Sequence, residues 1–237
     1  MASFFHTALY QPLYNGLIFL LSIIPSGDVG LAIILFTIVV KVILYPLSKK
    51  AAYTQIRMKE IEPELTAIKE KIKDRQEQAR AMMEAYKKAK VSPFSGLFLI
   101  LLQFPIIIAL YLVFYKGGLP VVNIEELYSF VRAPGEVSMQ FLGFFDVSGR
   151  SIILALLAGV LQFIRAYFMP VATTGGAKEG TFQADFAKSM HLQMKYVFPV
   201  IIAVVAYTVS AAVALYLVTS TLFDIVQEWW LRRKRGL

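Results

Sequence analysis

A lysine inside an apolar helix carries a charge where water is scarce, and either reaches back to water or meets a polar partner. Lys41 is such a residue, alone in the run FTIVVKVILYPLSKK (36–50) before the basic pair Lys49–Lys50. Thr37 lies one turn earlier on the same helix face. An ionisable side chain at membrane depth costs a few kcal/mol, so it usually faces protein or a water-filled cavity. The plainer reading is snorkelling, in which the stem reaches the headgroups and the ammonium stays wet. Other apolar runs offer polar company: Gln103 within LILLQFPIII, Gln162 and Arg165 in a later run, and Tyr216, Ser220, Asp224 and Gln227 at spacings of 4, 4 and 3. The last four form one stripe on one helix face. Each has an ordinary interhelical hydrogen bond as its plain alternative, and Arg165 reads as a snorkelling anchor. Asp224 sits about as far from the C-terminal basic cluster as Lys41 does from its own, so an ion pair between them is one arrangement the depths allow.

Reaction chemistry is absent from these patterns. No two carboxylates sit together for acid–base work, and no nucleophile has a histidine beside it. No phosphate-binding glycine loop occurs. With no cysteine and only His6 and His191, the chain has neither a thiolate metal site nor a histidine cluster, and no metal or cofactor is expected. An enzyme is not expected.

The elements that must position these residues are apolar helices. The chain is 57% hydrophobic and 17% charged, with the charges clustered. Several apolar runs approach the ~20 residues that cross a bilayer core. The fold class is therefore all-α, a polytopic membrane protein with a five-helix transmembrane core and a cytoplasmic helical hairpin. Residues 1–27 read as an interfacial amphipathic helix, because Thr7, Gln11, Asn15 and Ser22 fall at spacings of 4, 4 and 7. The same run is long enough to span, which would make six spans. Residues 28–48 are the first span, ending at Pro46 and Lys49–Lys50. In 49–92, Ile61, Leu65, Ile68 and Ile72 make one stripe and Met82, Met83, Tyr86 and Ala89 another, as in two antiparallel helices. Pro63 falls in the first turn of one of them or kinks it. A second span (93–116), an outer loop (117–150), a third span (151–169), a polar cytoplasmic loop (170–194), fourth and fifth spans (195–231) and a basic tail (232–237) complete the order. The stretch 195–231 is too long for one span and divides at YTVSAA (207–212).

Charge sets the orientation. Residues 49–90 hold twelve Lys/Arg against seven Asp/Glu, and RRKR (232–235) adds four; 117–150 hold only Arg132 and Arg150 against Glu125, Glu126, Glu136 and Asp146. Short basic loops stay in the cytoplasm. The expected location is the cell (plasma or inner) membrane, with the N-terminus outside and the C-terminus cytoplasmic. The net charge of +8 is thus chiefly a topology signal, with anionic lipid and a ribosome as secondary partners and no specific nucleic acid sequence. Residues 1–30 contain no Lys or Arg, so no secretory signal is expected.

Four stretches in order resemble the YidC/Oxa/Alb family of membrane protein insertases. GLAIILFTIVVKVILYPLSKKAAY (30–53) resembles the family's first core span with its buried basic residue. IEPELTAIKEKI (61–72) with MMEAYKKAKVSPFSG (82–96) is similar to its cytoplasmic hairpin, LLQFPIIIALY (101–111) to its second core span, and VALYLVTSTLFDIVQEW (213–229) to its last span. The likeness covers about 28–235. It implies a hydrophilic groove, open to cytoplasm and lipid and closed outside, that takes nascent membrane proteins into the bilayer. It makes Lys41 the groove's positive centre and places Thr37, Gln103 and Tyr216 on its lining. Ribosome and Sec translocon would be partners. The family usually carries arginine at the position of Lys41; lysine keeps the charge but loses the planar five-donor fork. The competing reading is a small ion or solute transporter that gates with a Lys41–Asp224 pair. A scaffold whose groove is vestigial is a third.

Overall fold

The computed structural model describes residues 5–91, 107–108, 111–113, 119–168 and 192–233. Gln103, most of the expected second span, most of the expected loop 170–194 and the tail beyond Arg233 lie outside these residues. Among the described residues the fold is all-α apart from a two-stranded hairpin, β1 (Gln140–Phe141) with β2 (Phe145–Asp146).

A helical turn at His6–Tyr10 leads into α1 (Gln11–Ile23). Tyr14, Leu17, Ile18 and Leu21 follow at helical spacing and are wholly buried, so α1 is a core element. Next, α2 (Val29–Glu60) runs through Pro46, where the sequence suggested that the first span ends. Proline forfeits one backbone bond, but Ala51, Ala52, Ile56 and Met58 beyond it are buried, and packing of that face carries the helix onward. The hairpin arm therefore begins as the end of α2, bends at Ile61, and continues as α3 (Glu62–Lys71), with Pro63 in its first turn.

The second arm, α4 (Arg75–Lys88), starts at Asp74, whose carboxylate accepts from the Gln76 and Glu77 amides at 2.9 Å each. The Gln78 side chain donates to the carbonyls of Lys69 and Ile72 and closes the end of α3. Met58, Leu65, Ala85 and Tyr86 form the seam. Met83, placed on that stripe by spacing, is half exposed, because one residue past Met82 turns it about 100° round the helix.

Three apolar helices complete the bundle: α5 (Ile152–Phe168), α6 (Phe198–Thr208, continuous with a turn at Gln193–Val197) and α7 (Ala211–Arg233). The chain turns at Val209–Ser210 between α6 and α7. By length and apolarity Val29–Met58 and Ala211–Leu231 can cross a bilayer; Ile152–Tyr167 and Gln193–Thr208 are apolar and shorter. Helix α7 is the hub and packs on α2, α5 and α6; residues 211–218 are buried without interruption. Gly159 lets α5 approach α6, since a Cβ there would stand 2.9 Å from the Ala203 Cβ. The opposite faces carry exposed apolar stripes, Leu35, Ile38, Val39, Val42 and Ile43 on α2 and Ile152, Leu156, Val160, Phe163 and Tyr167 on α5. Stripes that long, left uncovered by protein, are what a bilayer solvates.

Candidate functional site

The bundle has two unlike ends. At one, the 119–150 loop is bonded to three helices. Buried Asn15 of α1 donates to the Glu126 carbonyl (2.8 Å) and accepts from the Tyr128 amide (2.6 Å), and the Tyr14 hydroxyl accepts from the Asn123 amide (2.8 Å). Buried Asp28 accepts from the Leu31 amide, starting α2, and from the Leu142 amide in the loop. Gly27 and Val29 exchange backbone bonds with Ser138. Gly27 has φ +58°, and a Cβ there would run into the Glu136 carbonyl, so both conformation and space demand glycine. The first amides of α7 are satisfied as well: Ala211 donates to the Gly149 carbonyl (2.6 Å) and Ala212 to that of Val147 (2.9 Å). The polar stripe of α1 thus has a local purpose, since Gln11 and Asn15 hold this loop. The first half of α1 and the turn that follows it meet the same loop.

An ion cluster lies away from that loop end. Lys41 Nζ lies 2.8 Å from Asp224 Oδ1, and Arg165 Nη2 lies 3.2 Å from Asp224 Oδ2. One carboxylate therefore bridges two cations from two other helices. Lys41 is twelve residues beyond Val29, Asp224 thirteen beyond Ala211, and Arg165 thirteen beyond Ile152. All three helices start at the loop end, so the three side chains share a level about 18–20 Å along them. Equal depth on parallel helices explains why they meet. It was also the available sequence signal for Arg165, whose position counts from the start of its span and not from the nearest water. Arg165 is thus a member of an ion cluster and no mere anchor.

The remaining candidates divide. Gln227 Nε2 donates to Ser48 Oγ at 2.9 Å, one to two turns further from the loop end, and ties α7 to α2. Thr37 is fully buried and its hydroxyl donates to the Ile33 carbonyl of its own helix at 2.6 Å. Tyr216 and Ser220 are buried on the α7 stripe between the seal and the ions. Ser48 and Glu228, the latter buried one turn after Asp224, were not singled out by spacing. Outside the bundle, burial pushes the Lys69 ammonium down and the Tyr86 phenol up in the hairpin, and hydrogen bonds from Ser148 hold the Asp146 carboxyl below its usual range.

Comparison with known proteins decides the lineage. The family model described as 60Kd inner membrane protein matches residues 20–236. The chain belongs to that family. This is the YidC/Oxa/Alb family of the sequence resemblance. A relative from Clostridium tetani, named Membrane protein insertase YidC, is 34% identical over 204 residues, 86% of this chain and 81% of that relative. Relatives of the same name from Shewanella frigidimarina and Shewanella woodyi are 36% and 33% identical over 203 and 230 residues. The chain spans only 33% and 37% of those two proteins. Family membership and the apolar helices together make this an inner-membrane protein.

Proposed function

We propose that the chain is a membrane protein insertase, which receives the polar segment of a nascent membrane protein at a positively charged site and lets its apolar segment pass into lipid. The observation that carries this reading is the Lys41–Asp224–Arg165 cluster, two cations and one anion inside apolar helices, set well away from a sealed loop end. The net positive charge suits an acidic or carbonyl-rich segment, and a low-dielectric surround strengthens its pull. Thr37, Tyr216, Ser220 and Gln227, with Gln103, are the polar lining in this account. Burial of the client's own apolar span supplies the drive, so no cofactor or bond-making step is needed.

In this reading the loop end faces outward and the hairpin and C-terminus face the cytoplasm. Helix α1 lies in the outer interface, which fits the bonding of its first half, and of the turn that follows it, to one loop. The hairpin is the recruiting element. Lys49, Lys50 and the basic tail meet anionic lipid headgroups, and the tail meets ribosomal RNA through non-specific phosphate attraction. The Sec translocon is a cooperating partner.

The test is protease protection of a single-span client with an acidic outer tail, offered to liposomes holding the wild type or Lys41→Glu. The account expects protection by the wild type and a large loss in the variant. Equal protection by both would remove Lys41 from the mechanism.

A transporter reading draws on the 2.8 Å contact between Lys41 and Asp224, which resembles a gated pair. It requires a path through the loop end. The continuous burial of 211–218 and the loop's bonds to α1, α2 and α7 weigh against one. Solute flux through the same liposomes, with no client present, separates the two.

A further inference from the structure

Asp224 has an odd position for a binding site meant for acidic cargo: the protein's own carboxylate is already there. Its two oxygens are divided between the cations, Oδ1 toward Lys41 Nζ at 2.8 Å and Oδ2 toward Arg165 Nη2 at 3.2 Å. The side chains of Lys41 and Asp224 are 12% and 13% exposed, while that of Arg165 is 31% exposed. A newcomer therefore meets Arg165 first. A guanidinium presents a planar fork that receives a carboxylate through two parallel bonds, which an ammonium cannot do. Lys41 supplies a buried charge and Arg165 an accessible fork, each from a different helix.

We propose that Asp224 is a resident counter-ion that stands in for the client's carboxylate and is displaced by it, and that Arg165 is the second half of the receiving site. The inference rests on the insertase reading and names the charge selectivity of its site. Exchange of one carboxylate for another leaves the number of paired charges unchanged. An acidic segment then binds without stranding a cation, and Asp224 returns to expel it. A basic segment gains little from Asp224, which is already shared by two cations. Weak, reversible capture is what a client in transit requires, and a permanently vacant pair of cations would hold an acidic segment too long.

The experiment uses client tails identical except for charge (neutral, two aspartates, or two lysines), each tested for insertion into liposomes and for photo-cross-linking to the full chain. The variants are Asp224→Asn, Asp224→Glu and Arg165→Gln. Asp224→Asn is expected to raise cross-linking of the acidic tail severalfold over the neutral tail and to slow its release. Asp224→Glu should return both toward wild type. Arg165→Gln should lower the acidic-to-neutral ratio of insertion severalfold. The ratio is an internal control, since a merely structural bridge would lower all three tails together along with thermal stability. Unchanged ratios in Asp224→Asn and Arg165→Gln, with insertion intact, would overturn the proposal and leave the insertase reading standing. No insertion of any tail by the wild type would remove both.

Discussion

The loop end and the ion level of this bundle are built from different materials, and the contrast teaches how one helix bundle can hold a fixed end and an exchangeable one. At the loop end the backbone is satisfied by other backbone groups and by the fixed side chains of Tyr14, Asn15 and Asp28. Ala211 and Ala212 donate to Gly149 and Val147, Gly27 and Val29 pair with Ser138, and small buried residues bring α7 close to its neighbours. Such bonds lock because each partner is fixed by the fold. At the ion level, long side chains meet around one carboxylate, with Ser48 and Gln227 one to two turns further along. Side-chain ions can change partners without moving a helix. Rigid closure and exchangeable charge are thus separated by less than the length of one helix.

The strongest way to break the contrast is to strand the cations. Asp224→Ala leaves Lys41 and Arg165 with no shared anion, and loss of one partner of a buried ion cluster costs about 3–5 kcal/mol. A fall of that size in detergent thermal or chemical unfolding is expected, larger than for Asp224→Asn. The next lever is the seal. Gly27→Val puts a Cβ into the Glu136 carbonyl at a positive φ, for a penalty of roughly 1–3 kcal/mol. The 119–150 loop should become protease-sensitive while the Lys41–Asp224 contact survives, and equal resistance would show that Gly27 does not set the seal. Asn15→Ala removes bonds to Glu126 and Tyr128 and leaves buried backbone groups unpaired, for about 1–3 kcal/mol, read as faster amide exchange at Tyr128. Ser48→Ala should cost only about 0.5–1.5 kcal/mol, because it deletes one bond to Gln227 in a half-buried place.

The smallest effect is on pH. Ser148 donates to Asp146 from its hydroxyl and amide and holds that carboxyl below its ordinary 3.8. Its contribution is present above 3.8 and is lost as the pH falls through the lower folded value. Protection of the Ser148 amide, taken relative to its intrinsic exchange rate at each pH, should therefore fall only in that acid window.

Much of this was legible in the chain, and the reasons for the rest are physical. The α7 stripe Tyr216, Ser220, Asp224 and Gln227 shows in spacing, because four residues at 4, 4 and 3 share a face whatever surrounds them. Arg165 reads as an anchor by its distance from the nearest water, and only its register against the parallel helices shows the level it shares with Lys41 and Asp224. The run of α2 through Pro46 was hidden by a local rule that burial of Ala51, Ala52 and Ile56 overrides. The loop's bonds to α1 and α2 join residues more than a hundred positions apart, such as Asn15 and Glu126, and no local pattern carries them.

The most direct test uses the chain's lack of cysteine, which gives single-cysteine variants no background. Ser48→Cys and Ala212→Cys in oriented vesicles would be treated with a membrane-impermeant maleimide from either side. The account predicts labelling at 48 from the hairpin side alone and none at 212 from either side. Labelling at 212 from the loop side would mean that this end opens, and would contradict the sealed, one-sided site on which the insertase reading stands.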